Sequence, residues 1–397
     1  MNSLASLLAC LLLVPAVVVL AQPGADGQKN SKLRDFEPDA EAGSSAAVLV
    51  EDVPLIHTAQ LLPVDEAGQL VAGDAAAQCD ALLDQLETLL KSLGSGLDQA
   101  VKLNVYVARD ELGQVVRARL AARFVTGRRP AVSLVTTALP LAGVQVALDA
   151  VAAAPADAAL EEVQLQLQAA IRPAGSRIYI SGQAEPGTLR EATRKTLESL
   201  SASLKHCGRT DRDVVQVKCF LQPMQSVGEV REEIARYYGT NRPLPVSFVE
   251  WRSSVPIEIE LVAWGGPANS EPAEAIEFVT PPPLKASPLY SRVAVIHRGP
   301  TIFFSDLHGA ANADAQAQAA EPFGQLAALL AKTGSDLRHL AKATYYVTDD
   351  EVSRAHNAVR PKHYDPARPP AASKALVAGT GRPGTRYVMD MIAVPKP

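Results

Sequence analysis

Three carboxylates stand out because of what precedes them. Asp149 follows the run Val144 to Leu148, Glu260 follows Pro256 to Ile259, and Asp390 follows Tyr387 to Met389. A carboxylate on an otherwise apolar strand is costly to bury unless it is paired or functional. Function would mean shuttling a proton to or from a reacting group; pairing would mean an arginine contributed across an interface. A cation recurs as well, in Arg129-Pro130, Arg242-Pro243 and Arg368-Pro369. Each guanidinium has the reach to grip an anion from the turn before a strand, or else each Arg-Pro marks a solvated turn in which Pro fixes φ.

These residues recur because the elements that carry them recur. Three segments share one order of events: a strand pair, an amphipathic helix, a glycine stop, a strand ending in aromatic residues, a second helix, a Pro-rich turn, a strand and an acidic strand. Gly94-Ser95-Gly96-Leu97 leads into Ala100 to Val107, Gly208-Arg209-Thr210-Asp211 into Val214 to Leu221, and Gly334-Ser335-Asp336-Leu337 into Leu340 to Val347. Leu82, Leu83, Leu86, Leu89, Leu90 and Leu93 recur at helical spacing, and Gly94, Gly208 and Gly334 fall where a helix C-terminus needs positive φ. One helical face on one sheet face predicts an α+β fold of three tandem two-layer modules, each a mixed sheet plus two helices. Their expected spans are 45–154, 160–266 and 274–396.

At 397 residues, the chain has room for two or three domains. Hydrophobic residues make up 47% and charged residues 20%, enough for packed cores. A net charge of −5 and the lack of any Lys/Arg block give no reason to expect a nucleic-acid partner. No dinucleotide, Walker or H-E-x-x-H pattern is present and the seven histidines form no ligand-spaced cluster, so neither a cofactor nor a metal is expected. Cys79, Cys207 and Cys219 are spaced like no disulfide framework and read as buried small hydrophobes. The apolar run Leu4 to Leu20 ending at Ala21 reads as a signal peptide over 1–21, with a retained anchor as the alternative. It predicts an exported, periplasmic or secreted protein. Residues 22–44 are polar and aperiodic and are expected to form a disordered arm.

The second repeat carries Ile178-Tyr179-Ile180-Ser181-Gly182-Gln183, then Val214 to Leu221, Pro243 to Ser247 and Val255 to Glu260. It resembles a Rid/YjgF domain, and the first and third repeats resemble it in the same order. The resemblance implies the chorismate-mutase-like fold of that family, a trimer with small-molecule sites at its seams, and hydrolysis of reactive enamines or imines. Three fused copies would then form a single-chain pseudotrimer, sufficient as one chain. By the same resemblance, Asp149, Glu260 and Asp390 occupy the place of a water-orienting Glu, and Ser181 and Gly182 match a substrate-cradling Ser-Gly. Tyr290 and Asn357 match an early Tyr and a second-helix Asn, although packing and helix-surface roles account for them too. The arginine that grips a substrate carboxylate in the family is replaced by Val132, Val246 and Ala372. That leaves Arg129, Arg242 and Arg368 as candidate replacement anchors. It also leaves two functions open, a deaminase with diverged sites or a pseudotrimer that binds a small metabolite without turnover.

Overall fold

The computed structural model describes residues 32–65, 67–155, 160–166 and 168–397. The expected signal peptide and the start of the expected arm lie outside the described residues.

The first repeat supplies β1 (Leu33–Asp39), β2 (Ser44–Val50), β3 (Leu55–Thr58), α1 (Ala75–Ser92), β4 (Ala100–Val107), α2 (Leu112–Arg123), β5 (Ala131–Thr136) and β6 (Val146–Ala153). The second supplies β7 (Gln164–Gln166), β8 (Ala169–Arg172), β9 (Ser176–Gln183), α3 (Leu189–His206), β10 (Val214–Leu221), α4 (Val227–Tyr238), β11 (Val246–Glu250) and β12 (Ile257–Gly266). The third supplies β13 (Ile276–Val279), β14 (Val293–Ile296), β15 (Thr301–Phe304), β16 (Leu307–His308), α5 (Ala315–Lys332), β17 (Leu340–Val347), α6 (Asp350–Val359), β18 (Ala371–Leu376) and β19 (Tyr387–Ala393).

The long helix of each repeat starts and stops for local reasons. Asp74 and Asp314 accept a hydrogen bond from the backbone N–H three residues on, and Thr188 forms a reciprocal capping box with Glu191. Gly94, Gly208 and Gly334 then take φ of +74°, +71° and +77°. In each, the glycine N–H and the next N–H turn back to the last helical carbonyls, as in Ser95 N to Leu90 O at 2.8 Å and Ser335 N to Leu330 O at 2.7 Å. The shorter helices α2, α4 and α6 are crossovers joining the parallel pairs β4–β5, β10–β11 and β17–β18.

Among the described residues the strands form three mixed sheets of one design, in the orders β7-β8-β3-β6-β4-β5, β13-β14-β9-β12-β10-β11 and β1-β2-β15-β19-β17-β18. The opening strand pair of each repeat therefore lies on its neighbour's sheet. Leu55 of β3 pairs with Arg172 of β8, Val293 of β14 with Ile180 of β9, and Thr301 of β15 with Val50 of β2. The residues from Leu33 to Asp39, expected within a disordered arm, instead form an edge strand. Its polar, half-exposed sequence suits an edge that needs only one neighbour. Below, modules one, two and three denote these three sheets with their helices, the third completed by the first strand pair of the chain.

Each module packs its helices on one sheet face; Leu82, Leu83, Leu86 and Leu90 of α1, for example, meet Leu103, Val105, Val146 and Leu148. The opposite sheet faces meet one another. One apolar layer collects Tyr106, Phe220 and Tyr346 with Val135, Val249 and Ala375, the same positions from all three modules. Cys79 and Cys219 are buried, whereas Cys207 is half-buried at the end of α3.

Candidate functional site

Strand register fixes which residues are equivalent. Asn104 faces Asp149, Lys218 faces Glu260 and Thr344 faces Asp390; two residues earlier on each last strand, Ala147 faces Tyr106, Glu258 faces Phe220 and Val388 faces Tyr346. Because side chains alternate, both rows point away from the helices, toward the neighbouring modules.

The first row forms a buried polar network where the sheets converge. Lys102 of module one donates to Asp390 of module three at 2.8 Å, to Ser133 Oγ at 2.6 Å and to Phe304 O at 2.5 Å. Lys342 of module three pairs with Glu260 of module two at 2.7 Å. Module two breaks the pattern, since Gln216 stands where Lys102 and Lys342 stand. There Asp149 is held by neutral donors, Asn104 at 2.7 Å, Ser247 Oγ at 2.7 Å and Tyr106 Oη. The missing cation returns two residues along as Lys218. Burial works against a charge on Lys218, but Tyr106, Tyr346, Asp149 and Glu260 outweigh it and raise its pKa. Two of the three predicted carboxylates are thus ion-paired across module boundaries, with lysine rather than arginine as the partner. A space of about 60 Å³ remains between these groups, beside His57, whose pKa burial pushes down to about 3, so that it is neutral.

The second row is where the modules differ chemically. Only module two has a carboxylate there. Glu258 lies against the backbone of Gly182, where an added Cβ would come within 2.0 Å of its Oε1. Its other neighbour is Ser373 of module three, which hydrogen-bonds to it. Ser373 Oγ also accepts from Gly182 N at 3.1 Å, so one hydroxyl ties both walls of the seam together. Burial, then the charge of Glu260, pushes the Glu258 carboxyl up to about 7. Glu258 Oε1 and Ser181 Oγ are buried and lack a hydrogen-bond partner among the described residues. The corresponding seams have Thr58-Ala59 with Ala147, and Ser305-Asp306 with Val388.

The remaining predicted residues fall into two groups. Ser181 and Gly182 line the seam of modules two and three. Tyr290 lies beside it, packing on the core of module three with Arg292 4.9 Å above its ring, while its neighbour Ser291 is bonded to Pro369 O and Pro370 O. Asn357 instead accepts from Lys374 Nζ at 3.0 Å on the helix side of module three. The structure does not bring the three Arg-Pro arginines to Glu258. Arg129 donates to Val125 O at 3.3 Å, Arg242 to Arg212 O at 2.8 Å, and Arg368 to Arg338 O at 3.2 Å while pairing with Glu274. Arg129 closes its own turn, whereas Arg242 and Arg368 tie theirs to the turns before β10 and β17; Arg242 also borders a groove of about 1390 Å³ between modules one and two.

A family model described as Endoribonuclease L-PSP matches the chain three times, over residues 36–154, 160–264 and 283–394. The chain belongs to this family. Among relatives of the Endoribonuclease L-PSP family, a RutC family protein of Pyrococcus horikoshii is 31% identical over 102 residues, 23% of this chain and 81% of its own. Protein HMF1 of Saccharomyces cerevisiae is 30% identical over 118 residues, 29% of this chain and 88% of its own. Solved structures that are similar include the Rid family protein YyfB of Yersinia pestis, with 24% identity and a TM-score of 0.30. It spans 31% of this chain and 99% of its own. A YjgF family member of Neisseria meningitidis has 27% identity and a TM-score of 0.24, over 31% and 96% of the two chains. Each relative corresponds to about one module, so this family member is the fusion of three. Sequence reasoning missed Glu258 although a signal was available: in Ile257-Glu258-Ile259-Glu260 both acids share one face, and only the neighbouring modules distinguish them.

Proposed function

We propose that the chain hydrolyses a small imine or enamine at the seam of modules two and three, with Glu258 moving the proton. The observation that carries this reading is a carboxyl titrating near neutrality, held between a glycine backbone and the Ser373 hydroxyl, with an oxygen that lacks a partner. As a carboxylate, Glu258 takes a proton from water while the water oxygen bonds to the imine carbon. As an acid, it returns that proton to nitrogen to give a carbinolamine; it then takes the remaining hydroxyl proton and delivers it to nitrogen as the C–N bond breaks, so that a carbonyl and ammonia leave. Ser181 presents to the substrate a hydroxyl that has no hydrogen-bond partner among the described residues. Ala372 in place of a strand arginine removes the charge-assisted grip on a carboxylate, worth about 1.5–3 kcal/mol. The substrate is therefore an imine without a carboxylate beside its reacting carbon. The run Leu4 to Leu20 fits this reading as an export signal, which would place the reaction outside the cytoplasm; N-terminal sequencing of the secreted protein would find it starting after Ala21.

The test is ammonia release from an N-unsubstituted ketimine generated in the assay, with 2-iminopropanoate as the carboxylated comparison. Wild type should accelerate hydrolysis of the first more than the second. Glu258→Gln should lower the rate about 100-fold or more, the usual scale for a lost proton-transfer group, with its thermal unfolding intact. Full activity in a folded Glu258→Gln protein would remove Glu258 from the reaction.

A further inference from the structure

The space of about 60 Å³ where the three sheets converge has Lys102, Lys218, Lys342, Glu260, Asp390 and His57 on its wall, and not Glu258. The charges of that wall do not cancel. Glu260 is paired with Lys342 at 2.7 Å and Asp390 with Lys102 at 2.8 Å, which leaves Lys218. Asp149, the carboxylate that would balance it, is not on the wall and is already held by Asn104, Ser247 and Tyr106. Lys218 makes no hydrogen bond or ion pair among the described residues, although Tyr106, Tyr346, Asp149 and Glu260 keep it charged against the cost of burial. Its ammonium has three N–H donors and no acceptor in contact.

His57 is the second donor left over. It is 4% exposed, and neither ring nitrogen makes a hydrogen bond of ordinary geometry among the described residues. Gln216 lies beside it, but its amide donates to Thr58 O at 3.0 Å. Burial, then the charge of Arg172, keeps the imidazole neutral, so it offers one N–H. Arg172 adds to the positive potential, because Asp52 makes its ion pair with Arg177 at 3.2 Å.

A buried ammonium without a counter-charge in contact is costly. Water would supply an acceptor but no charge, whereas a compact anion supplies both. At roughly 15 Å³ for each water-sized particle, the space takes about four of them, which admits one such anion with water beside it and no larger organic acid. We infer that the convergence of the three sheets is a binding site for one halide-sized inorganic anion, held by the Lys218 ammonium and the His57 N–H. Lysines of all three modules face this site, so it is complete only when the modules are assembled, and the anion fastens them together. Asn104 Oδ1, buried without a partner, is left to accept from the accompanying water. The site does not depend on the reaction proposed for the seam of modules two and three.

The test is thermal unfolding of the full chain in potassium chloride, with potassium gluconate, an anion too large for the space, holding the ionic strength at about 0.2 M. Tm should rise saturably with chloride, by about 2 °C at tenfold the Kd. Lys218→Met should abolish that rise, and Glu258→Gln should keep it. Crystals grown in potassium bromide should show an anomalous scattering peak beside Lys218 Nζ. The same wild-type Tm in chloride and gluconate would overturn the inference, as would a rise that persists in Lys218→Met, or bromide crystals with water alone at this position. If Lys218→Met does not fold, the wild-type titration and the bromide position still decide.

Discussion

At the scale of single residues, the two acids of β12 show how far side-chain type falls short of role. Glu258 and Glu260 lie two positions apart on one face, and nothing in their spacing ranks them. Lys342 neutralises one from another module, and the other faces an uncharged hydroxyl and a glycine. The proposed reaction therefore assigns the proton transfer to Glu258, the acid that lacks a direct ion-pair partner. This difference has a thermodynamic signature. The Glu258 pKa is raised from 4.5 to about 7 on folding, so between those values the folded chain binds more protons than the unfolded one. The favourable contribution is complete below pH 4.5 and is lost as pH rises through about 7. At 1.36 kcal/mol per unit it amounts to at most about 3 kcal/mol. Urea unfolding at pH 5 and pH 8 should therefore show wild type losing more stability than Glu258→Gln over that interval. Equal losses would mean that Glu258 is an ordinary carboxylate.

At the scale of elements, legibility follows locality. The helices over 75–92, 189–206 and 315–332 could be read from leucine spacing and glycine stops, because a cap and a Schellman turn are decided within about six residues. The edge strand from Leu33 to Asp39 could not be read, because what orders it is a partner, β2, that is itself held by β15. Likewise Asp149, Glu260 and Asp390 announced themselves as costly, while their partners Lys102, Lys342 and Ser247 lie on other modules. These cross-module pairs set which strand faces which. Asp390→Ala should cost about 3–5 kcal/mol, since it leaves the Lys102 ammonium buried against two neutral acceptors. Adding Lys102→Met should recover much of that loss, because a buried pair replaced by apolar groups is often nearly neutral. Chemical denaturation of the single and double variants measures both. A small effect of Asp390→Ala, or no recovery in the double variant, would show that the pair is hydrated and loosely held.

At the scale of the whole molecule, the strand exchange decides how the ring is closed. Module one is built from residues 55–172 and module two from residues 176–296, each continuous in sequence. Module three is not continuous in sequence, because its outer strands come from the other end of the fold. The first strand pair of the chain returns to fill that place, with Thr301 to Phe304 pairing with Ala47 to Val50. Repeat analysis is blind to this arrangement, since every repeat offers the same strand pair and the alternation of inward and outward residues is identical whichever sheet accepts it. A covalent trap distinguishes the two. Val50 and Thr301 are register partners, within the Cα spacing that a disulfide spans, whereas Val50 and Leu55 would approach only if β2 folded back onto β3 of its own repeat. Oxidised Val50→Cys/Thr301→Cys should cross-link in high yield, and closing so long a loop should raise stability by up to about 4–5 kcal/mol in the chain-entropy account. Val50→Cys/Leu55→Cys should remain reduced. The reverse pattern on non-reducing gels would mean that each repeat keeps its own strands, that the ring is closed by side-chain contacts alone, and that the N-terminal residues do not fasten the third module to the first.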